Sequence, residues 1–458
     1  MDSSATVKPY GVCHIVAVPY PGRGHVNPMM NLCNLLLSQK SDILITFVLT
    51  EEWLGLIGSE VKPDNIRFAT IPNVIPSEKD RASDMVAFFD AVMTKMEAPF
   101  EQLLDGLELL PSAIMADTFL PWAVAVGNRR NIVAVSLWPM CGSEFSVYHH
   151  FHLFRQNGHF PVNLSEKGNE RVDYIPGVSS IRLADTTSSI DGKQSKILDY
   201  ILKRAFTWVL KAQYLFITSI YELETQVIDV LRSQLSLPVY TIGPLIPIFK
   251  AISASGTNHL QWLDSQPCSS VLYISMGSFL SVSSAQMDEI AVGLRKSGAR
   301  FFWVARAEMN RLQEVSGDMG LVVPWCDQIR VLSHSSVGGF WSHCGWNSVR
   351  EGAFSGVPFL TFPIVFDQGM NSKVIVEDWK TGWRVKSTEA KIDYLVTSEE
   401  IAMLVKTFMD LEHDEGKEMR ERASELQQIW KGAIAKGGST KANINAFVGD
   451  ISEEIKHK

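Results

Sequence analysis

Two residues able to move a proton stand early in the chain. His25 follows the β-rich run Cys13–Tyr20, in the segment Pro21-Gly22-Arg23-Gly24-His25. Asp117 follows the apolar run Ala113–Ala116. Both fall at the carboxyl end of a predicted strand, and open parallel sheets bind ligands in the crevice outside those ends. The two positions are 92 apart (117 − 25), so only a sheet brings them together. A neutral imidazole can take a proton from a hydroxyl, and a carboxylate behind it orients the ring and stabilises the imidazolium. Taken singly, His25 reads as a loop histidine and Asp117 as a turn former or cap. Their pairing at two strand ends gives the chemistry its weight.

A second chemistry is anion binding. Val337–Trp341 reads as a buried strand and Asn347–Ser355 as a helix, with His343-Cys344-Gly345-Trp346-Asn347-Ser348 between them. A helix N-terminus offers unpaired N–H groups and the positive end of the macrodipole. Gly345 lets a ligand approach the backbone, and His343, Asn347 and Ser348 add side-chain donors, which together make a phosphate cradle. Glu351, one turn beyond Asn347, is spaced to accept hydrogen bonds from a ribose.

These groups need a scaffold of alternating strands and helices. After the His25 segment, Met29, Leu32, Cys33 and Leu36 form one helical stripe, and Ile43–Leu49 is the next strand. A second unit runs from strand Val271–Ser275 through Met276-Gly277-Ser278. A capping box at Ser283 and Gln286 follows, then the stripe Met287, Ile290, Ala291, Leu294 and the strand Phe301–Ala305. The pattern predicts an α/β chain with mostly parallel, covered sheets. Ile242–Asn258, rich in Gly, Pro and Ser, is the linker candidate. The expected division is residues 1–245, a linker at 246–258, a second domain at 259–438 and a helix at 439–458. That helix carries Ile444, Phe447, Val448 and Ile451 on one face.

Composition narrows the class. The 458 residues are 46% hydrophobic and carry a net charge of −8, the wrong sign for a nucleic-acid or anionic-membrane binder. No apolar run is long enough to span a bilayer, and no secretory signal is read. The 6 cysteines are scattered without a Cys-x-x-Cys pair, which disfavours a zinc ribbon and fits a reducing cytoplasm. Cys344 reads as a small buried thiol. His149, His150 and His152 read as exposed residues lining at most an acceptor side, and metal binding is disfavoured. Trp325 alone reads as a packing residue. The aromatic-rich stretch Phe119–Phe154 suits an acceptor pocket or plain core equally.

The densest stretch fits a family. Trp325-Cys326-x-Gln328, Val331-Leu332-x-His334, Gly338-x-Phe340, His343-Cys344-Gly345-Trp346-Asn347-Ser348, Glu351, Gly356-Val357-Pro358, Pro363 and Asp367-Gln368 run in order over 44 positions (368 − 325 + 1). This resembles the signature box of plant secondary-product UDP-glycosyltransferases, and the His25 segment, Asp117 and the Ser275-Met276-Gly277-Ser278 turn extend the likeness over the chain. The resemblance implies a GT-B fold: two Rossmann-like domains facing across a cleft, with a C-terminal helix able to return to the first. It implies Trp325 stacked on uracil with backbone contacts from Cys326, and Gln328 and Glu351 at the ribose. It places His343, Asn347, Ser348 and Ser278 at the diphosphate, and Trp346, Asp367 and Gln368 at the sugar. A Gln at the position of Gln368 goes with UDP-glucose as donor. His25 becomes the base and Asp117 its orienter, in an inverting transfer to a small lipophilic acceptor, with neither metal nor other cofactor and a monomeric chain.

Two positions depart from the family pattern. Phe366 stands where Trp is usual and Met276 where Phe is usual; both keep an apolar body, so tuned affinity is expected. Two other functions compete. A catalytically silent UDP-sugar-binding protein would not need both His25 and Asp117. A nicotinamide dehydrogenase would want a third glycine after Gly22-x-Gly24, where Asn27 stands.

Overall fold

The first apolar run forms β1 (Cys13–Val18), buried along its whole length, as a strand covered on both faces must be. The structure, a computed structural model, describes residues 13–39, 42–58, 66–186, 190–193, 195–247, 257–277, 282–306, 308–386 and 394–457. Along the first part of the chain follow β2 (Ile43–Thr50), β3 (Ile66–Ile71), β4 (Ala113–Asp117) and β5 (Val133–Trp138). After them come a short hairpin of β6 (Arg171–Val172) and β7 (Ile181–Arg182), then β8 (Tyr214–Ile217) and β9 (Val239–Thr241). Seven of these make one parallel sheet in the order β3-β2-β1-β4-β5-β8-β9. β1 lies beside β4 with Val18 opposite Ala116, so the two strands end together.

The second sheet is also parallel. β10 (Val271–Ser275), β11 (Arg300–Val304), β12 (Gly320–Val323), β13 (Val337–Ser342), β14 (Phe359–Thr361) and β15 (Gly382–Arg384) assemble in the order β12-β11-β10-β13-β14-β15. Ser275 stands opposite Ser342, which brings the loops after β10 and β13 side by side. The fold is the two-domain α/β architecture expected. Among the described residues, no helix is long and apolar enough to cross a membrane.

The helix Ser439–His457 packs on the first sheet. Ile444, Phe447, Val448 and Ile451 join the core formed by Ile15, Ala17, Met115, Val135 and Phe216. Phe447 meets Tyr214 and Phe216 edge-on at 5.2 and 4.9 Å. Removing a buried ring of this kind costs about 3–5 kcal/mol.

Four local expectations change. β1 ends at Val18, and the helix Arg23–Leu37 starts early enough that His25 sits in its first turn instead of a loop. Ser283 caps helix Ser284–Ser297 by accepting from the Gln286 N–H at 3.2 Å, but no reciprocal box forms. The Gln286 amide bonds both backbone groups of Val396, at 2.9 and 3.0 Å. His150 is buried, not exposed, because Ser146 and Gln234 Oε1 (2.8 Å) satisfy its ring nitrogens. The start of the linker candidate is packed: Ile242, Leu245 and Ile246 are buried, while residues 248–256 lie outside the described residues.

Candidate active site

The shared ends of β1 and β4 deliver His25 and Asp117 to one point. His25 Nδ1 lies 2.7 Å from Asp117 Oδ2. The Asp117 side chain is 0% exposed and that of His25 23%. The second carboxylate oxygen, Oδ1, accepts from the Phe119 N–H at 3.0 Å, which fixes the carboxylate. Rings of Tyr20 and Phe119 flank the imidazole at 4.9 and 5.9 Å. With Nδ1–H donating to Asp117, the lone pair belongs to Nε2, the nitrogen free to accept a proton.

The loops after β10 and β13 form the second element. The His343 ring lies between Gly277 and Gly345: a Cβ on either would stand 2.6 or 2.5 Å from its Nε2. These two glycines are therefore required by close approach. Burial pushes His343 down to about 4, so it acts as a neutral ring and supplies no charge at neutral pH. Cys344 adopts φ 66, a left-handed conformation that costs a non-glycine residue about 1 kcal/mol or more. Its N–H donates to Ser342 Oγ at 3.0 Å, and its thiol is buried. The helix Trp346–Ser355 then starts from Gly345 with no side-chain cap, which leaves its first-turn N–H groups to a ligand. Ser278 lies outside the described residues.

Beyond this cradle a hydrogen-bonded chain links four side chains. Tyr273 O–H donates to Gln328 Oε1 at 3.0 Å. Gln328 Nε2 in turn donates to Glu351 Oε2 at 2.8 Å and Ser348 Oγ at 3.0 Å. Cys326 Sγ lies 3.5 Å from the Tyr273 hydroxyl. Tyr273 was not singled out from the sequence; its one signal is a phenol in the otherwise aliphatic run Val271–Ile274. Burial pushes Glu351 up to about 7, against the opposing Gln328 bond and the Arg350 charge. Trp325, next in sequence to Cys326, is 48% exposed.

The remaining predicted residues divide. Asp367 is buried and pushed up to about 6 by that burial; Asn371 donates to it at 2.7 Å, and the charge of His25 also acts on it. Gln368 differs from expectation: its Oε1 already accepts from the N–H groups of Ile364 (2.7 Å) and Val365 (3.0 Å). It offers a ligand N–H donors, not an acceptor. The Trp346 indole is buried against Trp379 and Trp430, with Nε1 donating to the Thr218 carbonyl at 3.0 Å, so its polar edge is committed to the first domain. Asn347 is likewise engaged, donating to the Gly24 carbonyl at 3.0 Å and accepting from Arg350. The structure thus brings His25 and Asp117 into contact, with Asp367 within reach of the His25 charge, and gathers Cys326, Gln328, Ser348 and Glu351 into a second bonded group.

Residues 246–420 match the family described as UDP-glucoronosyl and UDP-glucosyl transferase. UDP-glycosyltransferase 87A1 of Arabidopsis thaliana is 51% identical over 444 residues, covering 96% of this chain and 100% of that protein. UDP-glycosyltransferase 87A2 of the same plant is 52% identical over 445 residues, covering 96% and 97%. The structure of Phytolacca americana UGT2, complexed with UDP-2fluoro-glucose and pterostilbene, superposes with a TM-score of 0.81 at 26% identity. That superposition covers 96% of this chain and 100% of the other.

Proposed function

The chain belongs to the UDP-glucoronosyl and UDP-glucosyl transferase family and is a glycosyltransferase; from that premise we propose that it transfers glucose from UDP-glucose, with inversion, to a hydroxyl or carboxyl of a small lipophilic acceptor. The observation that carries the reading is the 2.7 Å contact between His25 and a fully buried Asp117. Asp117 holds the imidazole so that Nε2 takes the proton of the acceptor hydroxyl. The acceptor oxygen then bonds the anomeric carbon while the bond to the diphosphate oxygen breaks, and the electron pair leaves with UDP. Attack from the face opposite UDP turns an α-linked donor into a β-glycoside.

The leaving diphosphate meets the uncapped first turn of helix Trp346–Ser355, whose N–H groups stabilise developing charge without reorganising. The scheme calls on no metal ion. Trp325 stacks on uracil, and Gln328 and Glu351 hold the ribose. Asp367 and Gln368 bind the hexose as acceptor and donor. The phenolic pterostilbene bound by the Phytolacca protein supports a phenolic acceptor within the proposed class, which also takes in flavonoids, terpenoids and hormones. We place the reaction in the cytoplasm, in a monomer. The paired His25 and Asp117 favour turnover over silent UDP-sugar binding.

The test is incubation with UDP-glucose and a panel of phenolic and terpenoid alcohols and acids, followed by UDP release and product mass. Wild type without turnover across the panel, or His25→Ala with full activity, would sink the reading.

A further inference from the structure

The chain leaving β7 packs on the helix Gln368–Lys373, whose first residue is one of the two proposed to hold the sugar. Gly369 lies so close to Asp185 that a Cβ there would stand 3.0 Å from the Asp185 carbonyl oxygen and 3.1 Å from its Cα. The Asp185 side chain is 4% exposed and lies between two guanidinium groups. Arg182 donates to its two oxygens at 2.8 and 2.6 Å, and Arg384, the last residue of β15, donates to the same two at 2.9 and 3.1 Å. Arg384 also donates to Ser372 Oγ at 3.3 Å, in the same helix as Gly369. At the end of that helix the buried Lys373 donates to Ser179 Oγ and to both oxygens of Asp378, at 2.7 and 2.8 Å. Residues 179–185 therefore grip the helix near its start at Gly369 and at its end through Lys373, with Arg384 tying Asp185 to Ser372.

Resting on the UDP-glucose reading above, we propose that Asp185 and Arg384 are positioning residues for sugar recognition: from opposite halves of the chain they set the Asp367–Gln368 turn against the hexose without touching it. A buried ionic cluster adds little stability over apolar packing of the same volume, because desolvation offsets the attraction. What two forks on one carboxylate supply is fixed distance and angle. The gripped helix needs that. Even with its wider continuation Val374–Asp378 it is too short to hold a direction unaided. Its own bonds are local, from Asn371 to Asp367 and from the Ile364 and Val365 N–H groups to Gln368. These shape the turn but do not aim it. Trp325, Gln328 and Glu351 stand on other elements, so the clamp acts on the hexose and not on the nucleoside.

Two variants disturb the contact in different ways. Asp185→Asn removes the charge with little change of shape. Gly369→Ala keeps every charge and forces the two segments apart by a few tenths of an ångström, so it serves even where Asp185→Asn fails to fold. Each is titrated calorimetrically with UDP and with UDP-glucose, and amide hydrogen exchange is followed over residues 362–373. Both variants are expected to bind UDP-glucose about 3- to 10-fold more weakly, the worth of a sugar hydrogen bond, with UDP affinity unchanged and exchange over 362–373 faster. Arg384→Lys, which keeps the charge but loses the fork, should fall between wild type and Asp185→Asn. Unchanged UDP-glucose affinity in both variants overturns the proposal, even with a lower melting temperature, since the cluster would then be structural only. An equal loss for UDP and UDP-glucose overturns it too. A wild type that binds UDP but not UDP-glucose refutes the donor reading instead, and exchange over 362–373 still decides whether Asp185 holds the turn: an unchanged rate in the variants refutes the clamp.

Discussion

The amide of Asn347 donates to the carbonyl oxygen of Gly24 at 3.0 Å, across the boundary between the two domains. Gly24 immediately precedes His25, so the helix proposed to meet the diphosphate is bonded to the turn that carries the proposed base. Arg350, on the same helix, reaches the Pro244 carbonyl at 2.5 Å and extends the contact. Asn347→Ala is expected to lower kcat about tenfold, more than it lowers UDP affinity, since a small displacement of a base is costly. Steady-state kinetics beside UDP titration decide it; a loss confined to UDP affinity would count against the coupling.

Replacing His25 with Ala should cost about 10²- to 10⁴-fold in kcat, the usual worth of a general base. UDP affinity should hold, because the residues proposed to hold uracil and ribose, Trp325, Gln328 and Glu351, belong to the second domain and His25 to the first. Asp117→Asn should approach the same loss, since an amide no longer fixes the Nδ1–H form of the ring. Retained turnover in either variant contradicts the assigned roles.

Trp325→Ala separates binding from stability. Half its side chain is open to solvent, so melting should barely move. Lost base stacking is worth about 1–3 kcal/mol, or roughly a 5- to 100-fold weaker Kd for UDP. Equal affinities for wild type and variant would place uracil elsewhere.

Three buried acids set a pH dependence. Glu144, Glu351 and Asp367 are raised to about 8, 7 and 6 in the folded chain. Once unfolded, carboxyls titrate near 4. Between those limits the native state binds more protons, so stability is greatest at low pH within the range and falls as pH rises through the folded values. The melting temperature should be lower at pH 8.5 than at pH 6, and Glu144→Gln should flatten the upper part of the fall. A melting temperature that climbs over this interval refutes the argument.

Gln368→His should narrow the preference for UDP-glucose over UDP-galactose. The variant also forfeits the two bonds that Gln368 Oε1 accepts from the Ile364 and Val365 N–H groups, so part of the effect is a loosened turn. An unchanged ratio of kcat/KM values for the two donors would detach Gln368 from sugar choice.

What could be read from the chain alone follows the range of the forces involved. The β13–helix junction from Val337 to Ser355 is nearly complete in the sequence, because an apolar run, a small-residue turn and a helical stripe are all local patterns. The meeting of His25 with Asp117 also follows, since parallel strands starting from a common edge end at a common edge. His25 in a helical turn does not follow, because Gly22 and Gly24 mask the helix start. Glu144 hides for a different reason. A glutamate in the first turn of a helix normally reads as a solvated acid favoured by the helix dipole, and nothing local announces its burial. His150 and Gln286 mislead in the same way: their partners, Gln234 and Val396, lie 84 and 110 positions away.

The return of helix Ser439–His457 to the first sheet means the chain crosses between domains twice. The crossings run side by side, for Thr440 Oγ1 donates to the Gly243 carbonyl at 2.5 Å and Asn443 to the Thr241 carbonyl at 2.9 Å. A single thread leaves two bodies free to swivel. A two-stranded strap bends but resists torsion, so any widening of the cleft would hinge along this edge, with His25 and Asp367 parting and meeting again in the same alignment.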